Sequence, residues 1–165
     1  MRLTRTTKTR FEFRLAPREK PILLAVLKLY PRIVSAVSPL SKSGALPDAE
    51  SCQRLLDDAL AEQREENRRQ LQALLADPKR FKETETGSRL ILSHGDLEWL
   101  LQILNDIRIG SWLRLGSPEE HLHHLTEKNA PDLWAMEMSG AFVMQFLNAF
   151  QAPEEQREAS NENEH

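Results

Sequence analysis

The chain of 165 residues carries a single cysteine, Cys52. That excludes an intramolecular disulfide and any zinc cage built on cysteines. Glycine is sparse as well: the six residues at 44, 87, 95, 110, 116 and 140 form neither a phosphate-binding loop nor a dinucleotide fingerprint. A Gly-x-Ser-x-Gly nucleophile elbow and a His-Glu-x-x-His zinc helix are both missing. So are long hydrophobic runs. The most apolar stretch, residues 22–30, contains Lys28 and falls short of the roughly 20 residues that a bilayer requires. No apolar segment directly follows the basic N-terminus, so a secretory signal is not expected and the cytoplasm is the default compartment. With 40% hydrophobic and 28% charged residues, the composition is that of a globular domain. It names no reaction and calls for no cofactor.

Charge is unevenly placed. Residues 1–32 hold nine basic and two acidic side chains, a net of +7, while the whole chain carries −3 and the remainder therefore −10. Such a split can draw a polyanion to one end, or it can be the solvated face of an N-terminal strand, which is commoner. Residues 154–165 hold five glutamates against Arg157 and read as a disordered acidic tail. The expected organisation is a flexible basic stretch over 1–8, one domain over 9–151 and the tail over 152–165.

Hydrophobic periodicity supplies the elements. Phe11, Phe13 and Leu15 alternate with Arg10, Glu12 and Arg14, the pattern of a half-buried strand. Pro17 and Pro21 open a largely apolar helix that Pro31 bends and Pro39 ends. Asp48 is placed to cap a long helix reaching Ala76, with an apolar stripe of Cys52, Leu55, Leu56, Ala59, Leu60, Leu71, Leu74 and Leu75. Gln63, Glu66, Asn67 and Gln70 interrupt that stripe. The helix either breaks near 65–68 or runs its polar middle through a wet region or along a partner. Residues 89–92 make a short strand that pairs with 10–15. Ser93 and Asp96 form a capping box for a helix over 94–115, Ser117 and Glu120 a second one for a short helix to about 127. Pro131 starts a last helix to about Gln151.

The stretch Phe11-Glu12-Phe13-Arg14-Leu15-Ala16-Pro17, the polar helix around Arg64-Glu65-Glu66-Asn67-Arg68-Arg69, and Trp99…Asn105-Asp106-Ile107-Arg108 followed by Arg114-Leu115-Gly116 occur in this order. Together they resemble a bacterial domain-of-unknown-function family best known from actinobacteria, whose gene often lies beside that of the ClpS protease adaptor. The resemblance covers roughly residues 10–150. It implies no catalytic residue or cofactor, only an association with regulated proteolysis.

Three constellations stand out. On a helical wheel Arg108 falls at about 20° from Leu97, within the stripe of Leu97, Leu101, Leu104 and Leu115. A buried guanidinium requires acceptors, and Glu66 and Glu137 are the candidates. The set Arg108, Glu66 and Glu137 is either a register-fixing pair or an anion site. Trp99, Asp106 and Leu113 share the opposite side of the same helix and are interface candidates, with a homodimer as one assembly. His121, His123 and His124, with Glu120, lie at spacings that could hold a metal loosely, although a solvated helix is the commoner reading. Phe11 and Phe13 alternate away from the arginines, which disfavours a nucleic-acid partner, as does the acidic chain.

The expected fold is mainly α: a single-domain bundle of about five helices with a minor two-stranded β element. The expected function is a non-enzymatic protein-interaction or regulatory module with a protein partner, linked through the resemblance to protease-adaptor machinery. The alternative is a small enzyme or ligand-binding protein with an anion or metal site at Arg108 or at His121–His124.

Overall fold

The computed structural model describes residues 1–7, 9–33, 48–118 and 126–151. The elements run β1 (Arg2–Thr6), β2 (Arg10–Leu15), α1 (Glu19–Leu27), α2 (Ala49–Ala76), β3 (Phe81–Thr84), β4 (Gly87–Ser93), α3 (His94–Arg114) and α4 (Ala130–Gln151). The four strands form one antiparallel sheet in the order β1-β2-β4-β3. This corrects the expected architecture: among the described residues there are four helices, not five, and the sheet has four strands, not two.

The two unexpected strands have a common physical cause. β1 and β3 are the sheet edges, and Arg-Leu-Thr-Arg-Thr and Phe-Lys-Glu-Thr each offer one large apolar side chain to the core. Charged edge strands discourage pairing with another chain. They also erase the alternating pattern by which a strand is read. Residues 2–6 thus pair with β2 inside the stretch expected to be flexible. The central pairing follows the sequence pattern directly: Arg10 opposes Ser93, Phe13 opposes Leu90 and Arg14 opposes Arg89. Gly87 opens β4 at φ 143°, where an added Cβ would strike the carbonyl of Leu15.

The sheet buries one face. Phe11, Phe13, Leu15, Leu90 and Leu92 meet α1, α3 and α4 through Leu23, Leu27, Leu97, Leu104 and Phe146. The Phe13 and Phe146 rings pack edge to face at 5.0 Å, and Phe150 meets Phe11 at 5.2 Å. Such contacts add about 0.5–1.5 kcal/mol beyond area burial. α3 starts on the expected capping box. The Ser93 hydroxyl accepts from the Asp96 N–H, and the Asp96 carboxylate accepts from the Ser93 N–H. Burial pushes the Asp96 carboxyl up, but the bonds from Ser93 and Arg80 together hold it below its ordinary value.

α1 is shorter than expected and ends at Leu27, before Pro31. α2 is one unbroken helix of 28 residues. Asp48 precedes it in the left-handed region at φ 64° and its side chain makes no capping bond; only its carbonyl accepts, from Cys52 N–H at 3.1 Å. Residues 117 and 118 are not helical, and most of the expected helix over 117–127 lies outside the described residues. The acidic stretch 152–165 lies outside them too. No described helix is long and apolar enough to cross a membrane.

Candidate functional site

α2 is two helices in one. Its only buried side chains, Leu71 and Leu74, lie in the last two turns. The preceding turns form an arm. Counting about 100° per residue from Cys52, Leu74, Asn67, Leu60 and Leu71 fall between about 40° and 100°, the side turned to the protein body. Leu56 and Leu60 on that side are half-buried. Cys52, Ala59 and Leu55, between about 0° and 300°, are exposed, and Leu55 keeps 70% of its surface in water. The apolar arc is thus wider than the covered arc. A hollow of about 430 Å³ runs along the open side, lined among the described residues by Ala59, Glu62, Gln63, Glu65, Glu66 and Arg69. The arm from 49 to 62 holds Glu50, Asp57, Asp58 and Glu62 against Arg54, a net of −3.

The arm is held at its base by a polar clamp. Asn67 donates to the Tyr30 hydroxyl at 3.0 Å and accepts from the Trp99 indole N–H at 3.1 Å. One amide therefore ties α2 to α3 and to the segment after α1. Burial raises the Tyr30 phenol above its ordinary value, against the lowering effect of the Asn67 bond. That same segment is fixed further along. The Asp106 carboxylate accepts from Arg32 N–H at 2.9 Å and Ile33 N–H at 3.4 Å. Burial raises the Asp106 carboxyl, and the two N–H bonds and the Arg64 charge only partly offset it. The Arg32 guanidinium pairs with Asp132 at the start of α4, both largely buried, and Arg114 Nε joins Asp132 at 2.9 Å. Gly110 admits the Arg32 stem: a Cβ there would stand 2.6 Å from Arg32 Cβ.

The sequence-derived candidates fall differently. Arg108 is exposed, not buried. The buried residues of α3 are Leu97, Leu100, Ile103, Leu104, Ile107, Gly110 and Ser111, an arc centred about 70° away from the expected stripe. Arg108 lies on its margin, with Nε 3.7 Å from where a Gly140 Cβ would stand. Glu66 and Glu137 are exposed, and among the described residues no ion pair joins either to Arg108. Glu66 pairs instead with Arg69 at 3.7 Å and lines the α2 hollow. Trp99, Asp106 and Leu113 are all half-buried, the first two engaged within the fold. Glu120, His121, His123 and His124 lie outside the described residues, among which no three His, Cys, Asp or Glu side chains form a metal-ready group. Tyr30, Arg32, Asn67 and Asp132 did not stand out as site residues. Of these only Asn67 left a signal, as a polar residue interrupting an otherwise apolar stripe.

No family model, curated protein or solved structure matches the chain.

Proposed function

We propose that this protein is a cytoplasmic protein-interaction module that presents the arm of α2, residues 49–62, to a partner. One observation carries the reading: an amphipathic helix half leaves Leu55, Ala59 and Cys52 in solvent while its other half is locked into the core. Soluble domains rarely leave an ordered apolar stripe uncovered without a use for it. Helix-in-groove recognition uses apolar side chains at this spacing. The net −3 of the arm calls for a groove with a basic rim, and it opposes pairing between the arms of two copies. The clamp at Asn67 pre-orders the helix, which lowers the entropy lost on docking. The resemblance of residues 10–150 to the family encoded beside ClpS directs the search for the partner to adaptor-dependent proteolysis.

The test is capture from a cytoplasmic extract followed by quantitative mass spectrometry, with the full chain and with Leu55→Asp/Ala59→Asp as bait. The expected outcome is a partner lost with the variant although its thermal midpoint is unchanged. Equal recovery with a folded variant contradicts the reading.

A further inference from the structure

The outward face of the sheet carries a row of cations, of which Arg14 also donates to Thr86 and Arg89 pairs with Glu12. Arg2 on β1 stands directly opposite Arg14 on β2. Arg14 stands opposite Arg89 on β4. Arg89 stands opposite Lys82 on β3. The row crosses all four strands in direct register, with about 4.8 Å between neighbouring strands. Arg5 and Arg10 lie on the same side, Arg5 opposite Glu12 and Arg10 opposite Ser93. Among the described strand residues Glu12 is the single acid on this face, and it is engaged by Arg89 at 2.9 Å. Six cations against one carboxylate leave a net of +5 on a protein whose overall charge is −3.

Like charges directly opposite in an antiparallel pair repel. One such pair is an accident of composition. Three in succession keep the face poised for an anion. Five of the six cations are arginines, whose planar forks grip phosphate oxygens two at a time and stack on bases. Phe11 and Phe13 point into the core and offer no stacking platform, so the contact is to the backbone and is independent of sequence. We infer that the outward sheet face, along the row Arg2, Arg14, Arg89 and Lys82, binds the phosphodiester backbone of nucleic acid. This surface lies on a different element from the α2 arm and does not depend on the reading given to that arm.

The experiment is fluorescence anisotropy with a labelled single-stranded RNA of mixed sequence and the full chain, titrated across a salt series. Binding strengthens as salt falls, with a slope of log K against log salt of about −2 to −3, as expected for three or four phosphates at about −0.7 each. Arg14→Gln/Lys82→Gln weakens binding at least tenfold at low salt and lowers the slope by about 1.4. Its thermal midpoint is equal or higher, because repulsion has been removed, so the loss is not a loss of fold. Arg54→Gln/Arg69→Gln, which removes the same charge from α2, leaves binding unchanged. No binding at low salt overturns the inference, and so does an equal loss with the α2 variant. Tighter binding of a poly-glutamate peptide than of RNA at matched charge also overturns it, because it assigns the face to an acidic protein segment.

Discussion

The two halves of α2 share one backbone and differ in what holds them. From Asn67 to Ala76 the helix uses its apolar positions within the molecule: Leu71 and Leu74 are buried, and Asn67 bonds to both Tyr30 and Trp99. From Ala49 to Gln63 the same kind of stripe continues with its outer edge exposed, uncovered among the described residues. Burial accounts for the residues of the first kind. It does not account for Leu55. The comparison separates side chains that make the fold from side chains that the fold presents.

Several substitutions test how sharp that boundary is. The largest effect is expected where the segment after α1 meets α4. Asp132→Ala strands the largely buried Arg32 guanidinium and should destabilise by about 3–5 kcal/mol, measured by denaturant unfolding. Next comes the direct contrast within α2. Leu74→Ala should cost about 2–5 kcal/mol, whereas Leu55→Ala should stay within about 0.5 kcal/mol. Comparable losses at both positions would erase the distinction between the halves. Asn67→Leu should cost about 1–3 kcal/mol, because the Trp99 N–H and the Tyr30 hydroxyl lose their partner. In the same variant amide exchange should speed up in the arm more than in α3.

Asp96 and Asp106, both on α3, give opposite pH signatures. Asp106 sits above its ordinary pKa because it is buried, so folding disfavours its ionised form. Its cost is present at neutral pH, is relieved as pH falls through the folded value, and is gone below the unfolded value of about 3.9. Asp106→Asn keeps an acceptor for Arg32 N–H and should match or exceed the parent at pH 7; Asp106→Leu should lose about 1–3 kcal/mol. Asp96 is held below its ordinary pKa. Its stabilisation is present above about 3.9 and is lost as pH falls toward the folded value. Asp96→Asn should therefore flatten the acid limb of the stability curve, a smaller effect read by thermal midpoint between pH 5 and 2.

The central strands were legible because both alternate strictly with period 2. β2, the 10–15 with 89–92 pairing and the Ser93–Asp96 cap all follow from pattern. The edge strands β1 and β3 stayed hidden because one face of each is solvated and only a single large side chain points inward. The Arg108 expectation failed for a geometric reason. α3 is apolar on two sides, and four leucines chosen to define its stripe put the centre about 70° from the buried arc. Within the site, the polar middle of α2 was visible as a break in the stripe. Its partners Tyr30 and Trp99 were not, since they are 37 and 32 residues away in the chain. The charge imbalance of residues 1–32 was visible as a number. Only strand register set two of those cations, Arg2 and Arg14, in a row with Arg89 and Lys82.

The most direct test of the docking arm uses the lone cysteine, which is exposed in the arm's first turn. A benzophenone photo-cross-linker attached to Cys52 samples the open apolar side. The same label on Cys52→Ser/Arg54→Cys points about 160° away around the helix. One protein adduct from cytoplasmic extract is expected with the label at Cys52, absent with the label at 54 and suppressed by Leu55→Asp. The same adduct from both positions, an adduct between two copies of this chain, or none at all would contradict it.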